Sequence, residues 1–435
     1  MAKKYTKKTR RSRRREPKFE IHSEAKVTGS GVQMLLPIAE ILAGVQDSVE
    51  ALAGHAGLLI MKALLEDEVD QLVGERYAHD SERQASRHGH EEGHVVFAGR
   101  KVPLKRPRVR SLNGKEVQLG RYELFKAGTR MEASVSQRVI RGVSTRNYEG
   151  AMDAVSDGYG VQRSSVSRHW KAATTKQLET MMERPLGELD LVAMMIDGVS
   201  FQDTLIVVAL GFTSDGTKHV LGLWPGATEN ATVCKQLLAD LIERGLPSEL
   251  SYLFVLDGSK ALHNAVRAVF GERAEIQRCH VHKERNILSY LPDEYHRMVR
   301  QRLHAAWGMT DYGKAKKALD KLGAYLATLS ASAVRSLEEG LEETLTVHRL
   351  RLPDPLRQTF HTTNPIESCI SRTRHLCANV KRWRSDDMAV RWAGTMLIEA
   401  EKKFRRVRGF REMPFLVSLL KNLKNDEVDS RRASA

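Results

Sequence analysis

The strongest constraint in this 435-residue sequence is a pair of short apolar runs that each close on Asp-Gly. The first is LVAMMIDGVSF, residues 191–201; the second is SYLFVLDGSK, residues 251–260. A strand that is apolar at successive positions, rather than at alternate ones, has no wet face and belongs in a sheet covered on both sides. Two such strands, each with an acid at its end, would bring Asp197 and Asp257 close enough to share a cation if they lie in one sheet. Taken singly, either Asp-Gly is an ordinary turn signal.

The neighbouring pattern supports a common sheet. DTLIVVALGF (203–212) and KHVLGLWPG (218–226) read as two further strands, separated by the turn residues Ser214, Asp215 and Gly216. A helix follows over 228–244, with Val233, Leu237, Leu238, Leu241 and Ile242 on one face and Gly245 closing it. The strand 252–256, a helix over 260–270 and the segment AEIQRCHVHK complete the series. Three strands in hairpin order, then helix, strand, helix and strand, is the element order of an RNase H-like α/β domain, a mixed sheet flanked by helices. From Arg285 to Leu350 the apolar spacing is helical throughout, which predicts an all-helical insertion ended by RLPDPL.

The chain then reads HTTNPIESCISRTRHL. Local rules make Asn364 an N-cap, Pro365 the first helical residue and Glu367 the third, where a capping-box glutamate belongs. Beside Asp197 and Asp257 the same glutamate gains a second meaning, because a helix packed on the sheet could carry it to the two aspartates.

Charge narrows the class of partner. Lys and Arg number 69 against 54 Asp and Glu, a net +15, which favours a polyanion such as nucleic acid. Residues 1–18 hold ten Lys/Arg and one Glu, a solvated arm that also suits DNA contact. Arg100 to Arg110 hold six Lys/Arg on the second half of a hairpin centred on Ala98-Gly99, either a phosphate-facing ribbon or a charge-protected edge strand. Residues 136–175 read as two helices broken at SDGYG (156–160), the outline of a helix-turn-helix in which Arg163, Ser165 and Arg168 would face DNA. Arg374 to Arg411 read as helical, with eleven Lys/Arg and four acids; there Trp383 sits among Lys381, Arg382 and Arg384, placed to stack on an unpaired base or to fill a core.

The remaining signals are weaker. An amphipathic helix is predicted over 51–77, and the histidine-rich stretch after Gly74, with His79, His88, His90 and His94, reads as an exposed loop rather than a zinc site. Four cysteines make no disulfide framework, and with neither export signal nor membrane span the expected location is the cytoplasm. The expected division is a basic arm (1–30), a helical segment with the basic hairpin (31–135), the helix-turn-helix-like region (136–185), and a catalytic domain in two parts (186–284 and 355–406). The helical insertion (285–354) separates those parts, and a tail (407–435) ends the chain.

Six ordered motifs carry a resemblance: IDGVSF, VLDGSKAL, QRCHVHKERN, LEEGLEETLTVHRL, TTNPIES and NVKRWRSDDMAVRW. Together they resemble the bacterial Mutator-type insertion-sequence transposases, DDE enzymes with an RNase H-like catalytic domain. The resemblance implies a triad of Asp197, Asp257 and Glu367 that binds two Mg²⁺ ions, with Mn²⁺ as an alternative, for in-line phosphoryl transfer. It implies double-stranded DNA as partner, both element ends and target, and a homodimer or larger assembly, since two ends are processed together. Cys279 and His282 match the family's C-x-x-H pair. As a zinc site it is incomplete, with His280, Cys369 and Cys377 as unsupported further ligands, so a structural or DNA-positioning role is expected. Lys283 and Arg285, just beyond, are candidate phosphate contacts. Two rivals stand beside a transposase: an inactive DNA-binding regulator derived from one, and a nuclease on the same fold that cuts without joining.

Overall fold

A computed structural model describes residues 25–28, 31–34, 49–77, 83–145, 148, 162–201, 204–226, 230–378, 380 and 382–433. The basic arm over 1–18 and the SDGYG break therefore lie outside the described residues. The chain forms two compact units, one of residues 1–134 and 146–166, the other of residues 135–145 and 167–435.

In the first unit, strands β1 (Ala25–Thr28) and β2 (Gly31–Met34) pair antiparallel, and helix α1 spans Val49–Val73. Leu65, Val69 and Val73 of α1 pack against Val95, Val102, Leu104 and Val109 of a hairpin built from β3 (Ala85–Phe97) and β4 (Arg100–Ser111). The hairpin turns on Ala98-Gly99, both at positive φ (47° and 78°), as a two-residue turn between right-twisted strands requires. The histidine-rich stretch is largely not a loop: from Ala85 onward it is strand, paired with β4 and bulged between Arg87 and His90. Cross-strand charge holds it there in place of apolar alternation, because Arg106 and Arg108 lie within ion-pair distance of Glu91 and of Glu116 in β5 (Glu116–Val117). Those two arginines are thus already neutralised, which weakens a phosphate-facing ribbon. Helix α2 (Gly120–Lys126) adds Tyr122 and Phe125 to the core; α3 (Gly128–Ile140) belongs to this unit up to Ser134, and α4 (Arg163–Met182) only up to Val166, the rest of both counting with the second unit.

The second unit is organised by a five-stranded mixed sheet. Its strands are β6 (Leu191–Phe201), β7 (Thr204–Thr213), β8 (Lys218–Gly226), β9 (Tyr252–Leu256) and β10 (Ala274–Arg278), in the spatial order β10-β9-β6-β7-β8. β7 runs antiparallel to both β6 and β8, whereas β9 lies parallel to β6 and β10 parallel to β9. One face is covered by α5 (Ala231–Glu243) and α6 (Lys260–Phe270), whose Leu237, Leu241, Val266 and Phe270 join Met194, Ile196, Phe254 and Ile276 in a single core. The Asn230 side chain caps α5 by accepting from Thr232 N and Val233 N, a contribution of about 1 kcal/mol.

After β10 come helices α7 (His280–Leu288), α8 (Asp293–Trp307), α9 (Tyr312–Leu326), α10 (Ala331–Glu338), α11 (Leu341–Thr344), α12 (Thr346–Arg349) and α13 (Asp354–Phe360). Leu303, Trp307, Leu319, Leu322, Leu326, Leu337 and Leu345 close a core of their own. Helix α14 (Asn364–Cys377) then packs on β6, and α15 (Asp386–Glu401) packs on β7 and β8. The helical stretch expected over 374–411 is broken twice: Ser385 starts α15 as its N-cap, and residues 402–409 are irregular. The expected tail is not structureless either, since α16 spans Met413–Ala433 and buries Met413, Leu416 and Leu420.

Candidate active site

β6 and β9 pair in parallel up to Ile196↔Leu256, so Asp197 and Asp257 each stand one residue beyond the last pair, at the C-terminal edge of the parallel strands. Open α/β sheets place their ligands at this edge. The two aspartates differ in one respect from the sequence reading. Asp197 is not at the end of its strand, because β6 continues to Phe201 against β7, with Asp197 opposite Val208. The backbone there stays extended rather than turning, and Gly198 N–H donates to Asp197 Oδ1 at 2.8 Å. Asp257 does sit in a turn: Ser259 N–H donates to its Oδ1 at 2.8 Å, and Gly258 has φ +102°. A side chain at Gly258 would be strained by that φ, and its Cβ would come within 2.5 Å of Arg278 Nε.

Glu367 arrives from α14. The helix begins one residue earlier than a cap at Asn364 would place it: Thr363 is the N-cap, and its carbonyl accepts from Glu367 N–H at 3.0 Å. Asn364 and Pro365 thus fill the first two helical positions, where backbone donors are not needed, and Glu367 is fourth. No capping box forms. The Glu367 carboxylate instead accepts from Thr363 Oγ1 at 2.6 Å and lies 3.7 Å from His282 Nδ1.

The three acids feel one another. Burial first, then the Asp257 charge and to a smaller extent Glu367, push Asp197 up to about 6, against the Gly198 N–H and His282. Like charges gathered in a low-dielectric pocket are costly without a cation. His282 is raised, chiefly by its hydrogen bond with Cys279 and also by Cys279, Asp257 and Glu367, while burial opposes this. At Cys279 burial raises the thiol, but hydrogen bonds with His282 and Thr363 outweigh it and the net shift is downward.

Among the described residues, the group of His, Cys and acid side chains with metal-ligand spacing is Cys279, His282 and Glu367, whose ligand atoms lie within 4.8 Å of one another; Asp197 and Asp257 are not part of it. His280, Cys369 and Cys377 stand outside it. His280 is buried, hydrogen-bonds the Thr344 carbonyl through Nε2 at 2.6 Å and stacks on Trp307 with centroids 4.2 Å apart.

The predicted phosphate contacts divide. Arg163 and Arg168 are exposed on α4 and Ser165 is half-buried; Arg285 is exposed on α7; Arg382 and Arg384 are exposed ahead of α15, and Lys381 lies outside the described residues. Lys283 is a correction. It is fully buried, with Nζ donating to the Glu339 carbonyl, and burial lowers its ammonium to about 8. Helical phase explains this, since Lys283 shares the inward face of α7 with Ile287 while Arg285 turns out. Trp383 is half-buried, edge-on to Phe201 at 5.1 Å and to Trp392 at 6.3 Å, so it serves as a packing residue. Thr363 was not singled out from sequence; the available signal was a hydroxyl residue one helical turn ahead of the motif glutamate.

A mixed sheet flanked by helices, with Asp197 and Asp257 each one residue beyond its parallel pairing, defines an α/β protein. The chain belongs to the Mutator family of transposases, whose family model matches residues 36–407. It is 26% identical over 291 residues to the transposase for insertion sequence element IS6120 of Mycolicibacterium smegmatis, covering 65% of this chain and 86% of the relative. It is 26% identical over 372 residues to the transposase for ISRM5 of Rhizobium meliloti, covering 81% and 89%. The transposase for IS256 in transposon Tn4001 of Staphylococcus aureus is 24% identical over 355 residues, covering 78% and 87%. Among the described residues no helix is long and apolar enough to cross a membrane.

Proposed function

We propose that this protein is a DDE transposase that binds the terminal inverted repeats of its own insertion sequence and cuts and joins DNA at Asp197, Asp257 and Glu367. The observation that carries the proposal is the register of β6 and β9, which sets Asp197 and Asp257 side by side, with the charge of Glu367 acting on the same pocket. The strand order and the two parallel additions to an antiparallel trio support an RNase H-like domain, and the helices from His280 to Phe360 support an insertion within it.

The donor set fits hard divalent cations. Its oxygens are carboxylates, and burial together with the Asp257 charge raises Asp197, a penalty on the ionised form that a cation would offset. Asp197, Asp257 and Glu367 would hold two Mg²⁺, or Mn²⁺, which when bound supply activation of the nucleophile and stabilisation of the leaving oxygen. The chain's own contribution is placement. The Gly198 and Ser259 amides aim one oxygen of each aspartate, and the Thr363 hydroxyl aims Glu367. Water as nucleophile gives strand cleavage; a freed 3′-hydroxyl gives joining to target. Exposed Arg163, Arg168, Arg285, Arg382 and Arg384 are assigned to duplex phosphates, and an assembly of at least two copies holds both ends.

A cleavage and strand-transfer assay with Mg²⁺ and a duplex bearing the element's ends tests this. Cleavage and joining are expected from the wild type, with a loss on the order of 10³-fold or more in Asp257→Asn. Cleavage without joining would make the protein a nuclease. DNA binding with no cleavage would make it a regulator, and an active Asp257→Asn would remove the acids from the chemistry.

A further inference from the structure

Cys279, His282 and Glu367 have the donor types and spacing of a transition-metal site, but the space between them is filled. Thr363 Oγ1 stands 2.6 Å from Glu367 Oε1, 3.3 Å from Cys279 Sγ and 3.4 Å from His282 Nδ1. Zinc would need about 2.3 Å to sulfur and about 2.0 Å to nitrogen, so an ion at this point would have to displace the hydroxyl. Thr363 and Cys279 are both fully buried, which leaves the hydroxyl no room to swing aside into solvent.

The backbone around these side chains ties the two halves of the site together. Cys279 N–H donates at 2.8 Å to the carbonyl of Leu256, the residue before Asp257. Cys279 Sγ accepts from Thr363 N–H at 3.4 Å, and His280 N–H donates to the His361 carbonyl at 3.0 Å. The end of β9, the start of α7 and the start of α14 thus meet at one cysteine. Thr363 has a single hydroxyl proton. The 2.6 Å bond to Glu367 has the length of a charge-assisted O–H···O⁻ bond, so that proton belongs to the carboxylate. Cys279 Sγ, which accepts from the Thr363 amide, and His282 Nδ1 flank the hydroxyl oxygen at 3.3 Å and 3.4 Å.

We propose that Thr363 is a positioning residue for Glu367, and that the C-x-x-H pair Cys279/His282 works as a hydrogen-bonding bracket for Thr363 rather than as a metal site. The proposal rests on Glu367 being the third acid of the site proposed above. Glutamate carries one more rotatable bond than aspartate and sits on a separate helix; a fixed hydroxyl selects one of its rotamers before a cation arrives. The branched β-carbon of threonine keeps the hydroxyl itself in place.

The experiment compares wild type, Thr363→Val, Thr363→Ser, Cys279→Ala and Asp257→Asn in the full-length protein, by calorimetric titration with Mn²⁺ and by cleavage as a function of Mg²⁺. Thr363→Val keeps the shape and removes the hydroxyl. It is expected to weaken Mn²⁺ binding by about 10- to 100-fold and to raise the Mg²⁺ needed for half-maximal cleavage to match. Metal-free DNA binding should be unchanged, and Thr363→Ser should recover most of the loss. If Thr363→Val melts well below wild type, Cys279→Ala, which keeps Thr363, is expected to show the same shift more weakly. Wild-type Mn²⁺ binding in Thr363→Val overturns the proposal, as does a Thr363→Ser equally impaired. One equivalent of zinc in the purified protein, lost in Cys279→Ala, also overturns it. An Asp257→Asn with full cleavage and Mn²⁺ binding removes the acid site and this proposal together; an inactive Asp257→Asn beside an unimpaired Thr363→Val removes the bracket alone.

Discussion

Asp197 and Asp257 are placed by their own neighbours, Glu367 by residues far away in sequence. Each aspartate accepts from an amide one or two residues on, Gly198 or Ser259, and the ladder between β6 and β9 does the rest. Glu367 depends on Thr363, and through it on Cys279 and His282, more than 80 residues earlier. The same chemical group is thus supplied once by local geometry and once by tertiary closure. Damage to the first should displace an acid while leaving the rest of the molecule folded; damage to the second should act through whatever loosens the helical arm.

Short of removing an acid outright, the largest effect on rate is expected at the most local point. Gly258→Ala puts a side chain at a φ of +102°, strained whatever the space around it, so the Asp257 turn is expected to relax away from its wild-type geometry. A displacement of about 1 Å costs on the order of 10²-fold in rate, to be read as single-turnover cleavage at saturating DNA. Unchanged cleavage would mean that the turn is not what places Asp257.

Asp197→Asn should stabilise the metal-free protein while abolishing cleavage. Its folded-state value is raised above the ordinary one, so the stability it contributes is present at low pH and is lost as pH rises through about 6. Asparagine removes that penalty, and a gain of about 2 kcal/mol in metal-free unfolding at pH 7.5 is expected. A destabilised Asp197→Asn would show that the crowding of acids is not strained without metal.

The distant arm has its own pH dependence. His280, His348 and His361 are each lowered, chiefly by burial. The unfolded chain therefore binds more protons than the folded one below about pH 6.5, and stability falls as pH drops through that value towards the folded ones. Measured between pH 7.5 and 5.5, the melting temperature of His348→Asn should lose less on acidification than that of the wild type, even if the substitution lowers the plateau. A slope that is the same in both proteins would exclude His348 as a contributor. The smallest effect concerns DNA. Arg382→Ala should reduce the slope of log affinity against log salt by about 0.9, whereas Lys283→Met should leave it unchanged, because that ammonium is spent on the Glu339 carbonyl.

The same contrast governs what could be read from sequence. The sheet was legible because burial on both faces forces continuous apolar runs: Leu191 to Ile196 and Tyr252 to Leu256 are buried at every position. The element order from β6 to β10 followed, and with it the pairing of the aspartates. Glu367 was legible only as a motif residue, and its helical position was displaced by one because Asn364 and Pro365 satisfy two adjacent positions equally well. The Lys283 assignment failed because charge was weighed without helical phase. The histidine-rich strand was missed because ion pairs with β4, not apolar alternation, stabilise it, and those partners are distant in sequence. The hydroxyl of Thr363 was not legible at all, since its meaning depends on a cysteine brought to it by the fold.

The His280 N–H to His361 carbonyl bond, with the Thr363 amide on Cys279, seals the two ends of an 80-residue helical excursion. A chain leaving the ribosome displays both aspartates long before Glu367 is made, and Glu367 reaches them only when that excursion has closed on itself. Closing so long a loop is slow compared with forming local helices. On the function proposed above, completion of the acid cluster is a late checkpoint of folding: a partly folded copy would be able to grip DNA through its basic surfaces while lacking the means to cut it.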